Sequence, residues 1–376
     1  AAAITVNNTD GTCTANVTNN LSNRRINING SMLVNQRGDT TGITATGYYG
    51  PDRLRTTIYA GTYSFSQADS GSTLPEFPKC FKINCTSAAS APTTNQEFKI
   101  GYEMEGQDVQ HLNYGSSSAK KTTLTFYIRS NKTETYTVWY YRPDGTRNNA
   151  VNFSVSSANT WEKKTITIDG DTTSAIANDN TSGLKFEFVL STGTGYKSGS
   201  ALNGTWANIV NENRYVGNTG TFGQSTDDVI EITGIQYEVS DHATDFEHRS
   251  FGQELALCQR YCYVLIRHDG VITGAFSLGG TGSFYSPDNV YMSINFPVTM
   301  RATPTFSCVN KTNALRFPSA GSSRQLPTLT MTHAHSNACT LYGITTTTTS
   351  AGNAANSIFD AGNTTEGDGI FFFAEL

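Results

Sequence analysis

Charge is scarce in this 376-residue chain: Asp, Glu, Lys and Arg make up only 15% of it, against about 25% in an average soluble domain. The 26 basic and 31 acidic residues leave a formal net charge of -5 and form no runs. With no basic stripe to neutralise a phosphate backbone, nucleic-acid binding is not expected. Long apolar runs are missing too. The longest, such as Tyr261 to Ile266 and Ile370 to Ala374, fall far short of the roughly 20 residues that cross a bilayer as a helix. The first residues also lack a charged-then-apolar leader pattern, so a soluble chain without membrane insertion is expected. Seven cysteines are an odd number, which leaves at least one unpaired unless another chain supplies a thiol. Cys80 and Cys85 could bridge a turn, but free core thiols are the preferred reading and no disulfide scaffold is implied. Catalytic signatures are absent as well: the chain has no Gly-x-Ser-x-Gly elbow, Walker loop, Gly-x-Gly-x-x-Gly or His-Glu-x-x-His. Its carboxylates are too scattered to nominate the pair that cuts a sugar bond. A non-enzymatic protein with no cofactor is therefore expected.

What fills the gap left by charge is Thr, Ser, Asn and Gly, with 34 Gly, 20 Phe and 18 Tyr. The aromatics supply core material and the rest suits turns and exposed strand faces, so the chain reads as all-β. Residues 1–30, polar with scattered Ile and Val, read as an extended anchoring arm that needs a partner to bury anything. Residues 31–75, short β-like pieces between Gly turns, read as a connector. From 76 to 245 the period-2 signal is strong. Leu124, Phe126 and Ile128 share a face, as do Tyr136, Val138 and Tyr140, then Val151, Phe153 and Val155, and Leu184, Phe186, Phe188 and Leu190. Ile235, Tyr237 and Val239 close the series. With no long helical pattern between them, these strands describe a two-sheet jelly roll. A long loop, Ser191 to Asp228, interrupts the rhythm.

One helix stands out within 246–262. Ser250 and Gln253 form a capping box, and Phe251, Leu255 and Cys258 fall on one apolar face, a candidate interface that either seals the junction of two sandwiches or meets symmetry mates. Residues 263–376 return to short strands, a second β-sandwich.

Several segments, in order, resemble bacteriophage tail-fibre and related virion surface proteins. They are Ile28-Asn29-Gly30-Ser31-Met32 running to Gln36-Arg37-Gly38, then Asp52-Arg53, then Gly234 to Val239. Ala243-Thr244, Phe246-Glu247 and Glu254 to Tyr261 follow, with Pro297 to Pro304 and the closing Ala374-Glu375-Leu376. Leu54 and Cys262 depart from the pattern at packing positions. The resemblance implies a virion structural role, as a tail fibre or receptor-binding protein or else a capsid decoration or head-fibre protein. It also implies a homotrimer, contacts to other virion proteins through the arm, and a carbohydrate-binding-like jelly roll facing host glycans. A glycan depolymerase is the weakest alternative.

Sugar binding needs flat aromatic faces beside hydrogen-bonding side chains. Trp139 and Tyr141 alternate out of phase with Tyr136, Val138 and Tyr140, so one set faces away from the core. The set beside Thr137 is the candidate platform, unless Trp139 packs between the sheets. Tyr196, Trp206 and Tyr215 in the long loop are the second candidate. Trp161 is expected in the core, ahead of Ile166 and Ile168. His333 and His335, two residues apart on a presumed strand, offer imidazoles that a trimer could gather around Fe or Zn; an exposed polar strand is the plainer reading. Asp169, Asp171 and Asp179 offer oxygens for calcium, or simply an Asp-Gly turn. Arg37-Gly38-Asp39 reads as a turn.

Overall fold

The pleat of a strand sends successive side chains to opposite faces, and residues 23–268 use that alternation to close two antiparallel sheets on each other. The computed structural model describes residues 4–6, 13–15, 23–268, 275–309, 315–319, 322–326, 329–346, 351, 354–360 and 368–376. Strands β1 (Ile4–Val6) and β2 (Cys13–Ala15) pair as a hairpin. There follow β3 (Thr40–Ile43), β4 (Gly47–Tyr48), β5 (Leu54–Thr57), β6 (Thr62–Asp69), β7 (Lys79–Ser87), β8 (Glu97–Glu105) and β9 (Thr122–Ser130). Then come β10 (Thr135–Arg142), β11 (Arg147–Ser154), β12 (Glu162–Ile168), β13 (Ser182–Thr192), β14 (Ala207–Asn208) and β15 (Val229–Val239). One sheet has the order β14-β11-β10-β13-β8-β5-β4 and the other β12-β9-β15-β7-β6-β3. The protein is an all-β sandwich of the jelly-roll kind, as the alternation implied.

Its core is a single apolar slab. Tyr136, Val138 and Tyr140 lie beside Phe186 and Phe188, which in turn neighbour Ile100 and Tyr102. Against them pack Leu124, Phe126, Ile128, Phe65, Phe81 and Ile83 from the other sheet, all buried. Strand β15 contributes Ile230 and Ile232, then Ile235 and Tyr237, a change of parity that a regular strand cannot make. A bulge between Thr233 and Gln236 makes it. Gly234 takes the turn at φ +61, and a Cβ there would meet the Tyr127 and Phe77 rings at 2.8 and 2.9 Å. Cys80 and Cys85 are both free and buried on β7, and burial pushes the Cys80 thiol up to about 12.

Three expectations need correction. Residues 31–75 are no connector: β3 to β6 lie within both sheets of the sandwich, because Leu54, Tyr63 and Phe65 need its core. The last part of the supposed arm is also built in. Arg25, Asn27 and Asn29 are buried, Ile26 N donates to Tyr237 O at 2.9 Å, and Asn27 Nδ2 donates to Ile235 O at 2.8 Å; residues 1–3, 7–12 and 16–22 of the arm lie outside the described residues. Trp161 has the opposite parity to Ile166 and Ile168 and so lies half-buried on the outer face. There it packs 4.7 Å from the Arg129 guanidinium and donates to Ser70 O at 2.9 Å.

Helix α1 (Phe251–Gln259) starts at Ser250 with the expected capping box: Gln253 N donates to Ser250 Oγ at 3.3 Å and Ser250 N to Gln253 Oε1 at 3.0 Å. Of the expected stripe only Cys258 is buried, and it shares the inward side with Glu254. Phe251 is 56% exposed and Leu255 half-buried. The helix turns inward at Glu254 because that carboxylate takes the buried Arg25 guanidinium and accepts from Asn29 N at 2.7 Å.

The second module comprises β16 (Cys262–Arg267), β17 (Ala275–Phe284), β18 (Asn289–Asn295), β19 (Thr305–Val309), β20 (Leu315–Ser319), β21 (Ser322–Leu326), β22 (Leu329–Thr332), β23 (Ala338–Ile344), β24 (Ala354–Asp360) and β25 (Gly369–Phe373). They form a sheet β16-β25-β19 and a sheet β21-β20-β24-β17-β18-β23-β22 around Phe284, Met292, Leu341, Ile370 and Phe372. Among the described residues no helix is long and apolar enough to cross a membrane.

Arginines tie the two modules together. Arg53 reaches Glu375 at 2.7 Å and Glu103 O at 2.7 Å, with its guanidinium 3.4 Å from the Tyr261 ring centre. Arg37 pairs with Glu375 and Asp52. Arg260 grips Glu105 through two 2.7 Å bonds, and Tyr261 Oη adds a third at 2.6 Å. Arg301 donates to the Ala374 and Glu375 carbonyls at 2.7 Å and to Asn180 O at 2.9 Å.

Two tests follow from this joint. Glu254→Ala leaves a guanidinium buried without its partner and should cost about 3–5 kcal/mol in chemical denaturation, whereas Leu257→Ala on the exposed side of α1 should stay within about 0.5 kcal/mol. Burial lifts the Asp52 carboxyl to about 6 even though Arg37 pulls it down, whereas an unfolded Asp sits near ~3.9. Between those values the folded state holds a proton that the unfolded chain has released. This group's contribution is therefore present at low pH and lost as pH rises through about 6. Melting temperatures measured from pH 4 to 7 should show a downward component with rising pH that Asp52→Asn flattens.

Candidate functional site

While Tyr136, Val138 and Tyr140 face the core, the intervening Thr137, Trp139 and Tyr141 face out, as expected. Strand register extends each into a row. Trp139 lies beside Glu187, then Gly101, then Arg55; Thr137 beside Val189, Lys99 and Thr57; Tyr141 beside Lys185 and Glu103. The outer face of the larger sandwich sheet is thus paved with aromatic and ionic side chains. Gly101 keeps its middle low, since a Cβ there would come within 3.0 Å of Glu187 Oε1.

The long loop folds over one end of this face. Tyr215 is buried and donates its hydroxyl to Glu97 Oε2 at 2.6 Å, while its ring meets Trp139 edge-on at 5.8 Å and Tyr196 at 5.6 Å. Asn218 pins the loop by donating to Thr137 Oγ1 and Val189 O, at 3.1 and 2.9 Å. Trp139, Ala150, Val189 and Tyr215 form a small apolar cluster of their own. Neither reading of Trp139 holds as stated: it is buried, but on the outer face, beneath the loop rather than between the sheets. Its indole N–H donates to Asn148 Oδ1 at 3.1 Å, and Tyr141 stacks on it at 5.1 Å and 10°. Both rings line the open space, but the half-buried Tyr141 is the more exposed of the two.

That space is a cleft of about 450 Å³ lined by Arg55, Lys99, Tyr141, Lys185, Glu187 and Arg214, among others. Lys99 Nζ sits between Glu97 at 2.8 Å and Glu187 at 2.7 Å. Burial alone would depress this ammonium, but Glu187 and Glu97 outweigh it and hold it above the usual lysine range. Burial, with Glu97 and Glu187 nearby, pushes the Tyr215 hydroxyl well above its ordinary value, so it remains a proton donor. Lys185 pairs with Glu103 at 3.3 Å and stands 5.5 Å from the Tyr141 ring centre. Arg214 lies 5.2 Å from the Trp139 ring and 4.9 Å from that of Tyr196. The arrangement combines a flat ring, fixed cations and fixed carboxylates in one preformed recess, the equipment for holding a polyhydroxylated ligand.

The structure thus brings Trp139, Tyr141, Tyr196 and Tyr215 together but leaves Trp206 out. Trp206 donates to Asp169 O at 2.8 Å and packs edge-on to Tyr114 at 5.8 Å, beside a separate shallow recess. The oxygens considered for calcium are otherwise engaged. Asp171 is buried against Arg142 and Arg147, Asp169 pairs with Lys121, and Asp179 accepts from Thr181 N at 2.9 Å. His333 and His335 are not on a strand. Both are exposed in the turn after β22, with His333 at φ +46, and among the described residues no group of three or more metal-ligating side chains occurs. Residues missed by the sequence reading are Arg55, Lys99, Glu187 and Arg214. The signal was there for Lys99: Glu97, Lys99, Gly101 and Glu103 alternate with Phe98, Ile100, Tyr102 and Met104. Arg214 carried none.

Neither a protein-family model nor a curated protein matches the sequence. Among solved structures, the enzymatically active domain of tailspike protein 4 of bacteriophage CBA120 is similar over 57% of this chain, at 10% identity and a TM-score of 0.29. This chain spans only 21% of that one. The family 11 carbohydrate-binding module of the Clostridium thermocellum cellulase Lic26A-Cel5E is similar over 57% of this chain and 90% of the module, at 12% identity and a TM-score of 0.23. A CBM4 structure is similar over 50% of this chain and 95% of its own, at 8% identity and a TM-score of 0.25.

Trp139→Ala should remove the support of the loop and destabilise the protein by about 3 kcal/mol, read by thermal and chemical denaturation. Tyr141→Ala, at the rim of the same cluster, should cost less than about 1.5 kcal/mol and leave the near-ultraviolet spectrum of the fold in place.

Proposed function

We propose that this chain is a non-catalytic, glycan-binding surface protein of a bacteriophage particle, a tail-fibre or receptor-binding component. The observation that carries the binding half is the cleft on the outer sheet face: Tyr141 presents a ring for the apolar face of a sugar, and cations and carboxylates held in ion pairs line the same recess. Stacking a pyranose on an aromatic ring replaces water on both apolar surfaces, and the side chains around it lose little freedom because ion pairs already hold them. The virion half draws on the segments, in order from Ile28 to Leu376, that resemble virion surface proteins, and homotrimer formation and attachment through the N-terminal arm, residues 1–30, go with it.

Binding rather than hydrolysis fits the way the carboxylates of the cleft are engaged. Glycoside cleavage needs one carboxyl group that holds a proton beside one that is ionised. Here Glu97 and Glu187 are both engaged by the one Lys99 ammonium, at 2.8 and 2.7 Å.

A glycan array probed with the purified protein should yield a defined set of binders, and Tyr141→Ala should weaken them at least about tenfold, the worth of one lost stacking contact of ~1.4 kcal/mol. A wild-type protein that binds no glycan on the array would overturn the reading; shortening of a bound polysaccharide on incubation would overturn its non-catalytic part.

A further inference from the structure

The charges lining the cleft do not cancel. Its four cations face three carboxylates, a surplus of one positive charge: Lys99 sits between Glu97 and Glu187, and Lys185 pairs with Glu103. Arg55 and Arg214 line the same recess and form no ion pair among the described residues. Arg214 is placed with care. The Trp139 and Tyr196 rings flank its guanidinium at 5.2 and 4.9 Å, a setting that fixes its plane, and its Nε is buried with no hydrogen-bond partner. A buried N–H left without an acceptor is costly, and nothing in the cleft wall supplies one. Arg55 is half-buried on β5, across Gly101 from Glu187 and Trp139. The lowest part of the floor therefore lies between it and the aromatic cluster.

From this we infer that the cleft takes an acidic glycan, one whose sugar ring lies against Tyr141 and whose anionic substituent is held by Arg55 and Arg214. The inference rests on the glycan-binding reading above and adds the ligand class to it. A neutral sugar would leave both guanidiniums without an ion-pair partner and the recess with its surplus positive charge. A planar fork of N–H donors matches a carboxylate or another oxyanion far better than it matches hydroxyls.

The test is a glycan array that carries neutral, hexuronate- or sialic-acid-bearing, and sulfated oligosaccharides, followed by calorimetry on the strongest binder. The expected result is that acidic glycans lead and that Arg55→Gln, which removes no ion pair, weakens the strongest of them by about tenfold or more, the loss typical of a charge-assisted hydrogen bond. Arg214→Lys should weaken it comparably while thermal unfolding reports an intact fold, because the charge stays and the fork does not. Carboxylated or sulfated glycans taking the lead would identify which oxyanion the fork holds. Neutral glycans bound as tightly as acidic ones, with Arg55→Gln without effect, would overturn the acidic assignment and leave the glycan reading standing. No binding to any class would overturn both.

Discussion

Every element of this protein depends on a joint made of buried charge. Glu254, Glu375 and Glu105 each receive arginines that come from distant parts of the chain: Arg25 for the first, Arg37 and Arg53 for the second, Arg260 for the third. Taking such groups out of water is expensive, and the pairing returns that energy only when each partner is in place. The joint therefore acts less as a source of stability than as a condition on geometry. The opening segment, the helix, the rim of the jelly roll and the final residues must all arrive together or leave a charge uncompensated. It explains why α1 turns a glutamate inward and leaves Phe251 in solvent, the reverse of what an apolar stripe would do.

That condition has a consequence for the cleft. Arg53 immediately precedes the short strand that carries Arg55; its positive φ (+80) turns it into the joint, while Arg55 stands over the outer sheet face. Glu103, whose carbonyl takes Arg53, sends its carboxylate to Lys185 in the row beside Tyr141. The same strands, β5 and β8, thus hold the joint at one end and supply the floor of the cleft in the middle. A rigid sheet with two such faces keeps the cleft preformed.

Much of the fold was legible because the period-2 signal is physical: Leu184, Phe186, Phe188 and Leu190 had to share a face whatever their neighbours. The capping box at Ser250 was legible for the same reason, being closed within four residues. Errors arose where long-range partners overrode local pattern. The stretch from Thr40 to Asp69 looked like a connector because its strands are short and rich in Gly, yet β8 and β7 give them edges to pair with. Trp161 was assigned to the core by hydrophobicity against its own parity. The candidate platform was found on the right strand and the right face, but which of its rings meets solvent was not legible, since the loop that covers Trp139 is far away in sequence.

The sequence by itself determined the all-β class, the sandwich strands and their inward faces, and the capped helix between two modules, because each rests on interactions between residues a few positions apart. Only the tertiary structure decided which arginine meets which glutamate, and that Arg55, Lys99, Tyr141, Glu187 and Arg214 share one cleft. Ion pairs and recesses are assembled from residues tens to hundreds of positions apart, and register, loop course and burial, none of them encoded locally, set their partners.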